Sequence, residues 1–258
     1  MTDQLQLPGI NPVYRLKIEY DNDPSSPREW GNFGKMVCWS RRHTLGDEQP
    51  DHTPGEYRLA MAEKYRPALS VTLERECERL RDAIGLTYGS REWLQAQREV
   101  DNYAEARVDR VLAQHIIELP LYLYDHSGIT MRTSAFSCPW DSGQVGFIYV
   151  TIDKIKAEYG WKILTKARRK KIEEYLRSEV KTYDDYLTGS VYGYTVERLD
   201  NATGEWEQVD SCWGFFGYNP VESGLCDTIP HFSKEQIERA MADFGEWITT
   251  QEHEGEDA

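Results

Sequence analysis

Apolar and polar residues alternate from Val13 to Tyr20, where Tyr14, Leu16, Ile18 and Tyr20 are separated by Arg15, Lys17 and Glu19. A period of two predicts a strand with one buried face. The polar run 21–27 ends it, since Pro24 and Pro27 cannot donate to a ladder. Lys35 to Trp39 predicts a second strand, followed by a loop over 46–55. Helix formers dominate from Glu56 to Ile84, interrupted at Pro67 by a missing N–H and a ring clash. Ser90 is placed to cap a helix reaching about His115. On that helix Trp93, Gln97, Val100, Ala104, Val108, Val111 and Leu112 recur at three- and four-residue steps.

The chain then becomes strand-rich. Leu119 to Tyr124, Ile129 to Thr133 and Val145 to Thr151 read as strands, with Asp125-His126-Ser127-Gly128 as a hairpin turn. Helices are predicted from Ile152 to Tyr159 and from Thr165 to Leu187, the second stopped at Gly189. Ile172, Tyr175, Leu176, Val180, Tyr183 and Leu187 form its expected buried stripe. Val191 to Leu199 and Trp206 to Phe216 bracket a turn over 200–204. Ser233 caps a final helix expected to reach about Thr249, and the acidic tail 251–258 is expected to fray. This order predicts an α+β fold, mainly antiparallel sheet with packed helices. It reads as one domain over 1–258, with a helical insertion at 56–118.

Composition narrows the function classes. The 258 residues include 44 Asp and Glu against 30 Lys and Arg, a formal charge of −14. With 40% hydrophobic and 12% aromatic residues the chain can build a core. No apolar run approaches the ~20 residues of a membrane span, so no membrane association is expected. Bulk coating of nucleic acid is disfavoured, because a net anion repels phosphates unless a local patch overcomes the repulsion. Five widely spaced cysteines, Cys38, Cys77, Cys138, Cys212 and Cys226, do not read as a disulfide scaffold. Reduced thiols in a bacterial cytoplasm are the expectation.

Several segments carry candidate chemistry. Phe136 to Gly146 gathers Cys138, Trp140, Asp141 and Ser142, with Asp125 and His126 a hairpin's length upstream. Read catalytically, Cys138 or Ser142 is the nucleophile, His126 its base and Asp125 or Asp141 the orienting carboxylate. Read structurally, the acids and hydroxyls make turn bonds while Cys138 and Trp140 pack inward. Trp140 is also a candidate binding residue. Two five-residue spacings, Cys38 with His43 and Cys226 with His231, offer a weak zinc set. Asp125, Asp141 and Asp210 offer an equally weak magnesium set. The run Lys166, Arg168, Arg169, Lys170 and Lys171 is a local basic exception, able to grip a phosphate backbone or lie as a solvated face paired with Glu173 and Glu174. The aromatic stretch 210–218 has acidic neighbours, which favours core over a stacking platform. No phosphate-binding glycine loop is present and no cofactor is expected.

Pro27-Arg28-Glu29-Trp30, Met36-Val37-Cys38 and the run Arg41 to Asp47 resemble the opening of an uncharacterised family found in bacteriophages, prophages and conjugative elements. The resemblance continues through Leu119 to Gly128, Phe136 to Gly146, Tyr183 to Gly189 and Asp210 to Phe215. It implies a mobile-element origin and a host-cell cytoplasm, but no assigned activity.

The leading expectation is a non-enzymatic accessory protein that binds and inhibits a host defence or nucleic-acid-handling complex, of the anti-restriction or anti-CRISPR type. Its carboxylates would occupy a cationic site on a host protein or protein–nucleic-acid complex. The alternatives are a hydrolase or nuclease using the Asp125–Gly128 and Cys138–Gly143 turns, and a nucleic-acid binder using Lys166 to Lys171. A homodimer stays open.

Overall fold

The computed structural model describes residues 12–84 and 88–251. Among them the elements follow the order β1 (Val13–Tyr20), β2 (Lys35–Cys38), α1 (Pro54–Glu63), α2 (Leu69–Ile84), α3 (Arg91–Leu112), β3 (Ile116–Asp125), β4 (Ile129–Arg132) and β5 (Ser142–Thr151). There follow α4 (Ile152–Tyr159), α5 (Lys166–Leu187), β6 (Val191–Leu199), β7 (Trp206–Phe216), α6 (Leu225–Thr228), α7 (Lys234–Ala242) and β8 (Ile248–Gln251). The strands form two antiparallel sheets, ordered β7-β6-β1-β8 and β2-β5-β3-β4. The fold is α+β. By its internal contacts the chain divides into a first unit, Met1–Trp30 with Thr182–Ala258, and a second, Gly31–Lys181. The segment 56–118 supplies most of α1 to α3 within the second unit, and its last three residues open β3.

In the first unit, β1 pairs with β6 so that Leu16 faces Val196 and Ile18 faces Tyr194. Tyr14, Leu16 and Ile18 share a core with Tyr192, Tyr194 and Val196, closed by Leu225, Ile237 and Met241 from α6 and α7. Arg15, on the other face, pairs with Glu197 and lies 4.4 Å from the Trp206 ring and 4.1 Å from the Trp247 ring. The helix opened by Ser233 ends at Ala242 rather than near Thr249. Gly245 takes φ +82° and its N–H donates to Ile18 O, turning the chain into β8 beside β1. Short-range periodicity cannot anticipate that edge pairing. The predicted frayed tail falls, apart from Gln251, outside the described residues.

In the second unit the sheet is covered on both faces. Phe147 joins Met61, Leu69, Leu73, Val108 and Leu112 from α1 to α3. Its neighbour Ile148 must point the other way, and there it meets Leu176 of α5 beside Gly34. Thr53 and Glu56 form a reciprocal capping box at α1, and Ser90 Oγ accepts from Trp93 N at α3. The helix break expected at Pro67 separates α1 from α2. Pro120 sits inside β3, where β4 pairs only from Tyr122 onward, so the preceding residues lie on a strand edge that tolerates a missing N–H. Gly189, at φ +73°, closes α5: Gly189 N donates to Tyr186 O and Ser190 N to Asp185 O. Of the predicted stripe on α5, Ile172, Leu176, Val180 and Tyr183 are buried, but Tyr175 is 47% exposed.

Gly146 is required by the backbone that crosses it. At Gly146 an added Cβ would lie 2.0 Å from Val37 O across the β2–β5 ladder. Gly146→Ala should therefore destabilise the protein by about 2 kcal/mol or more, because the clash is with backbone. Urea unfolding followed by circular dichroism checks this, with Gly143→Ala, which meets nothing within 4 Å, as the near-neutral control.

Candidate functional site

Two constellations in the second unit bring chemistry together. The first surrounds the β3–β4 turn. His126 N donates to Gly128 O, with Ser127 at φ +59°. The loop from β4 to β5 folds back because Arg132 donates to Ser134 O and Ala135 O and lies 3.8 Å over the Phe136 ring. Phe136 packs on Tyr124 at 5.5 Å. Asp125 N donates to Asp141 O at 2.8 Å, which brings Asp141, Cys138 and Ser142 beside the turn.

The catalytic candidates therefore meet, but in an order that does not match a nucleophile and its base. Cys138 Sγ lies 3.6 Å from Asp141 Oδ2, and His126 Nδ1 lies 3.6 Å from the same oxygen. The carboxylate stands between thiol and imidazole, whereas nucleophilic catalysis needs the imidazole in the middle. Ser142 Oγ donates to Cys138 O and holds the loop closed. Trp140 does not pack inward: it is 92% exposed, carried at the tip of the same loop.

Asp125 has a different partner from the one its sequence neighbourhood suggested. Its Oδ2 accepts from His43 Nε2 at 3.0 Å and from an Arg42 terminal nitrogen at 3.4 Å. An ionised carboxylate only accepts, so Nε2 carries the proton. The His43 hydrogen bond, with the Arg42 guanidinium beside it, holds the Asp125 carboxyl below the usual aspartate range. His43 is itself set by Ser40 Oγ on its N–H and by Gln49 Nε2 on its carbonyl.

The proposed metal sets resolve into other contacts. Cys38 is fully buried with its sulfur over Gly46, and His43 turns to Asp125. In the first unit, His231 stacks on Tyr14 at 4.0 Å, Cys226 packs against the core, and Asp210 accepts from Tyr194 Oη at 2.9 Å. Among the described residues no three His, Cys, Asp or Glu side chains are grouped to hold a metal.

The second constellation is a cleft of about 1010 Å³ between α1, α3 and the β3–β5 ladder. Its wall includes Trp39, Leu59, Val108 and Phe147, and its charged lining is Glu56, Asp101, Glu105, Asp109 and Glu118 with Arg58. A β-bulge builds one side: the register shift between Leu121 and Tyr122 leaves Val145 as an extra residue in β5. Trp39 N donates to Val145 O and Trp39 Nε1 to His52 O, fixing the indole at the cleft. Arg58 donates to both Glu118 oxygens, at 2.6 and 2.8 Å, and to Asp109 Oδ1 at 2.8 Å. Burial works against the guanidinium charge, but the two carboxylates outweigh it and raise its pKa. The cleft residues are spread from Trp39 to Phe147, so no local motif signals them. The one available sign was Glu118, an acid set between Ile117 and Leu119 in an apolar strand, which calls for a buried cation.

The basic run on α5 is exposed at Lys166, Lys170 and Lys171 and half-buried at Arg168 and Arg169. Lys170 pairs with Glu174 at 3.6 Å, as expected of a solvated face, while Arg168 and Lys171 turn to Trp161 and Tyr159. Comparison with protein-family models, curated proteins and solved structures finds no match to this chain.

The lowered Asp125 pKa fixes the sign of a pH effect. The pair is intact above the ordinary value of 3.8 and is lost as pH falls through the lower value reached in the folded protein. A carboxyl carbon NMR titration should place the Asp125 midpoint below 3.8. His43→Ala should move it back up; a wild-type midpoint at or above the ordinary value would reject the pairing.

Proposed function

We propose that the protein is a non-enzymatic binding protein whose second unit receives a cationic, partly apolar segment of a partner in the cleft. The observation that carries this reading is the lining. Five carboxylates stand against one base, Arg58, and that base is already bonded to Glu118 and Asp109. Glu56, Asp101 and Glu105 are exposed, and the apolar wall of Trp39, Leu59 and Phe147 lies in the same cleft. A lysine or arginine stem can cover such a wall while its head meets the carboxylates. A formal charge of −14 steers cationic partners towards the molecule over longer range.

The partner we propose is a host defence or nucleic-acid-handling complex, whose own surface is cationic because it must hold phosphates. Occupying that surface from a mobile element would inhibit it without bond-making chemistry. The Cys138–Asp141–His126 order supports the non-enzymatic reading, since the thiol faces a carboxylate and not the imidazole.

The test uses a fluorescent peptide of alternating arginine and leucine. Glu105→Lys and Asp101→Lys reverse exposed charges and should each weaken binding about ten-fold. Cys138→Ala and His126→Ala should leave it unchanged. Equal binding by the charge-reversed variants, or turnover of ester, peptide or nucleotide that is lost in Cys138→Ala, would overturn the proposal.

A further inference from the structure

The cleft does not use the basic surface of the second unit. Between Ile152 and Lys171 stand eight Lys and Arg against Asp153 and Glu158, a strong local reversal in an acidic chain. Rings interleave with these charges. Phe33 meets Tyr175 edge-on at 5.4 Å and Tyr159 edge-on at 5.8 Å, and Tyr159 stacks on Trp161 at 4.4 Å. Phe33 is held in place because its N–H and that of Gly34 donate to the Glu179 carboxylate. Three cations lie along the row: Lys154 Nζ is 5.5 Å from the Phe33 ring, Lys171 Nζ 5.7 Å from Tyr159, and the Arg168 guanidinium 4.8 Å from Trp161.

We infer that this row binds a single-stranded nucleic acid. Strand recognition needs cations spaced along a backbone and a ring with room for a base. Tyr175, 47% exposed at one end of the row, supplies the ring, and Lys154, Arg168 and Lys171 supply the cations. Glu174 takes Lys170 and Glu179 is turned to the Phe33 and Gly34 amides, while Glu158, which also acts on Tyr175, is outnumbered by the three cations of the row. A duplex would leave the exposed ring unused, because its bases are stacked inside. A membrane surface would need a broad apolar face, and here the exposed large aliphatic side chain is Ile163. The inference is independent of the cleft and stands or falls without it.

Fluorescence anisotropy with a labelled oligothymidylate of about 12 residues tests it. Three phosphate contacts, each releasing about 0.7 of a counterion, predict an affinity about twenty-fold weaker at about 200 mM salt than at about 50 mM. Lys171→Glu, an exposed substitution, should weaken binding at the lower salt about ten-fold. Tyr175→Ala should cost about five-fold or more through lost stacking. Circular dichroism confirms that both variants are folded. No binding at low salt overturns the inference. So does equal affinity for a duplex of the same length with no effect of Tyr175→Ala, or binding only to vesicles containing phosphatidylserine.

Discussion

Phe147 and Ile148 are consecutive residues of β5 that point to opposite faces of one sheet, and the cleft and the ring row of the second unit both depend on their being buried. Phe147 draws α1 to α3 onto its face, and Ile148 draws α5 onto the other through Leu176 and the glycine at position 34. Each side chain fully removed from water is worth about 1.5–3 kcal/mol, and both depend on the β2–β5 register that Gly146 permits. The cleft lies where α1 and α3 meet the Phe147 face without filling it. The ring row lies where α5 and the residues before β2 close over the Ile148 face. One strand therefore positions both surfaces.

Charge is sorted over this scaffold rather than spread evenly. Carboxylates gather at the cleft, where Arg58 is consumed by Glu118 and Asp109, and cations gather along residues 152–171. Fixed charges on rigid elements present their field without reorganisation, which favours recognition by complementarity. The β3–β4 turn contributes a different element. His43, Arg42, Asp125, Asp141 and Cys138 tie three chain segments together, and the exposed Trp140 rides on the loop that they close. Their geometry accounts for loop order and leaves the thiol facing an anion.

Much of the fold was legible in the chain. The strict alternation of Val13–Tyr20 and the polar break at 200–204 mark strands correctly, because one-face burial leaves a period of two wherever a sheet has a solvated side. Caps at Ser90 and Ser233 and the glycine stop at Gly189 mark helix ends, because backbone groups there need local partners. The failures have one origin. Tyr175 fits the apolar spacing of α5 yet stands in solvent, since Phe33 arrives from far away in sequence to meet only its edge. β8 exists because an edge of β1 is open to pair, which no feature of 248–251 announces.

The sequence by itself determined the α+β class, the element types, the acidic balance and the basic exception on α5, because each follows from local spacing and composition. The tertiary structure alone decided which groups meet. His43 goes to Asp125 rather than to Cys38, Arg58 joins acids 51 and 60 residues away, and Phe33 bridges Tyr159 and Tyr175. Such encounters depend on sheet register and helix docking, which set distances between residues remote in the chain and leave no periodic trace along it.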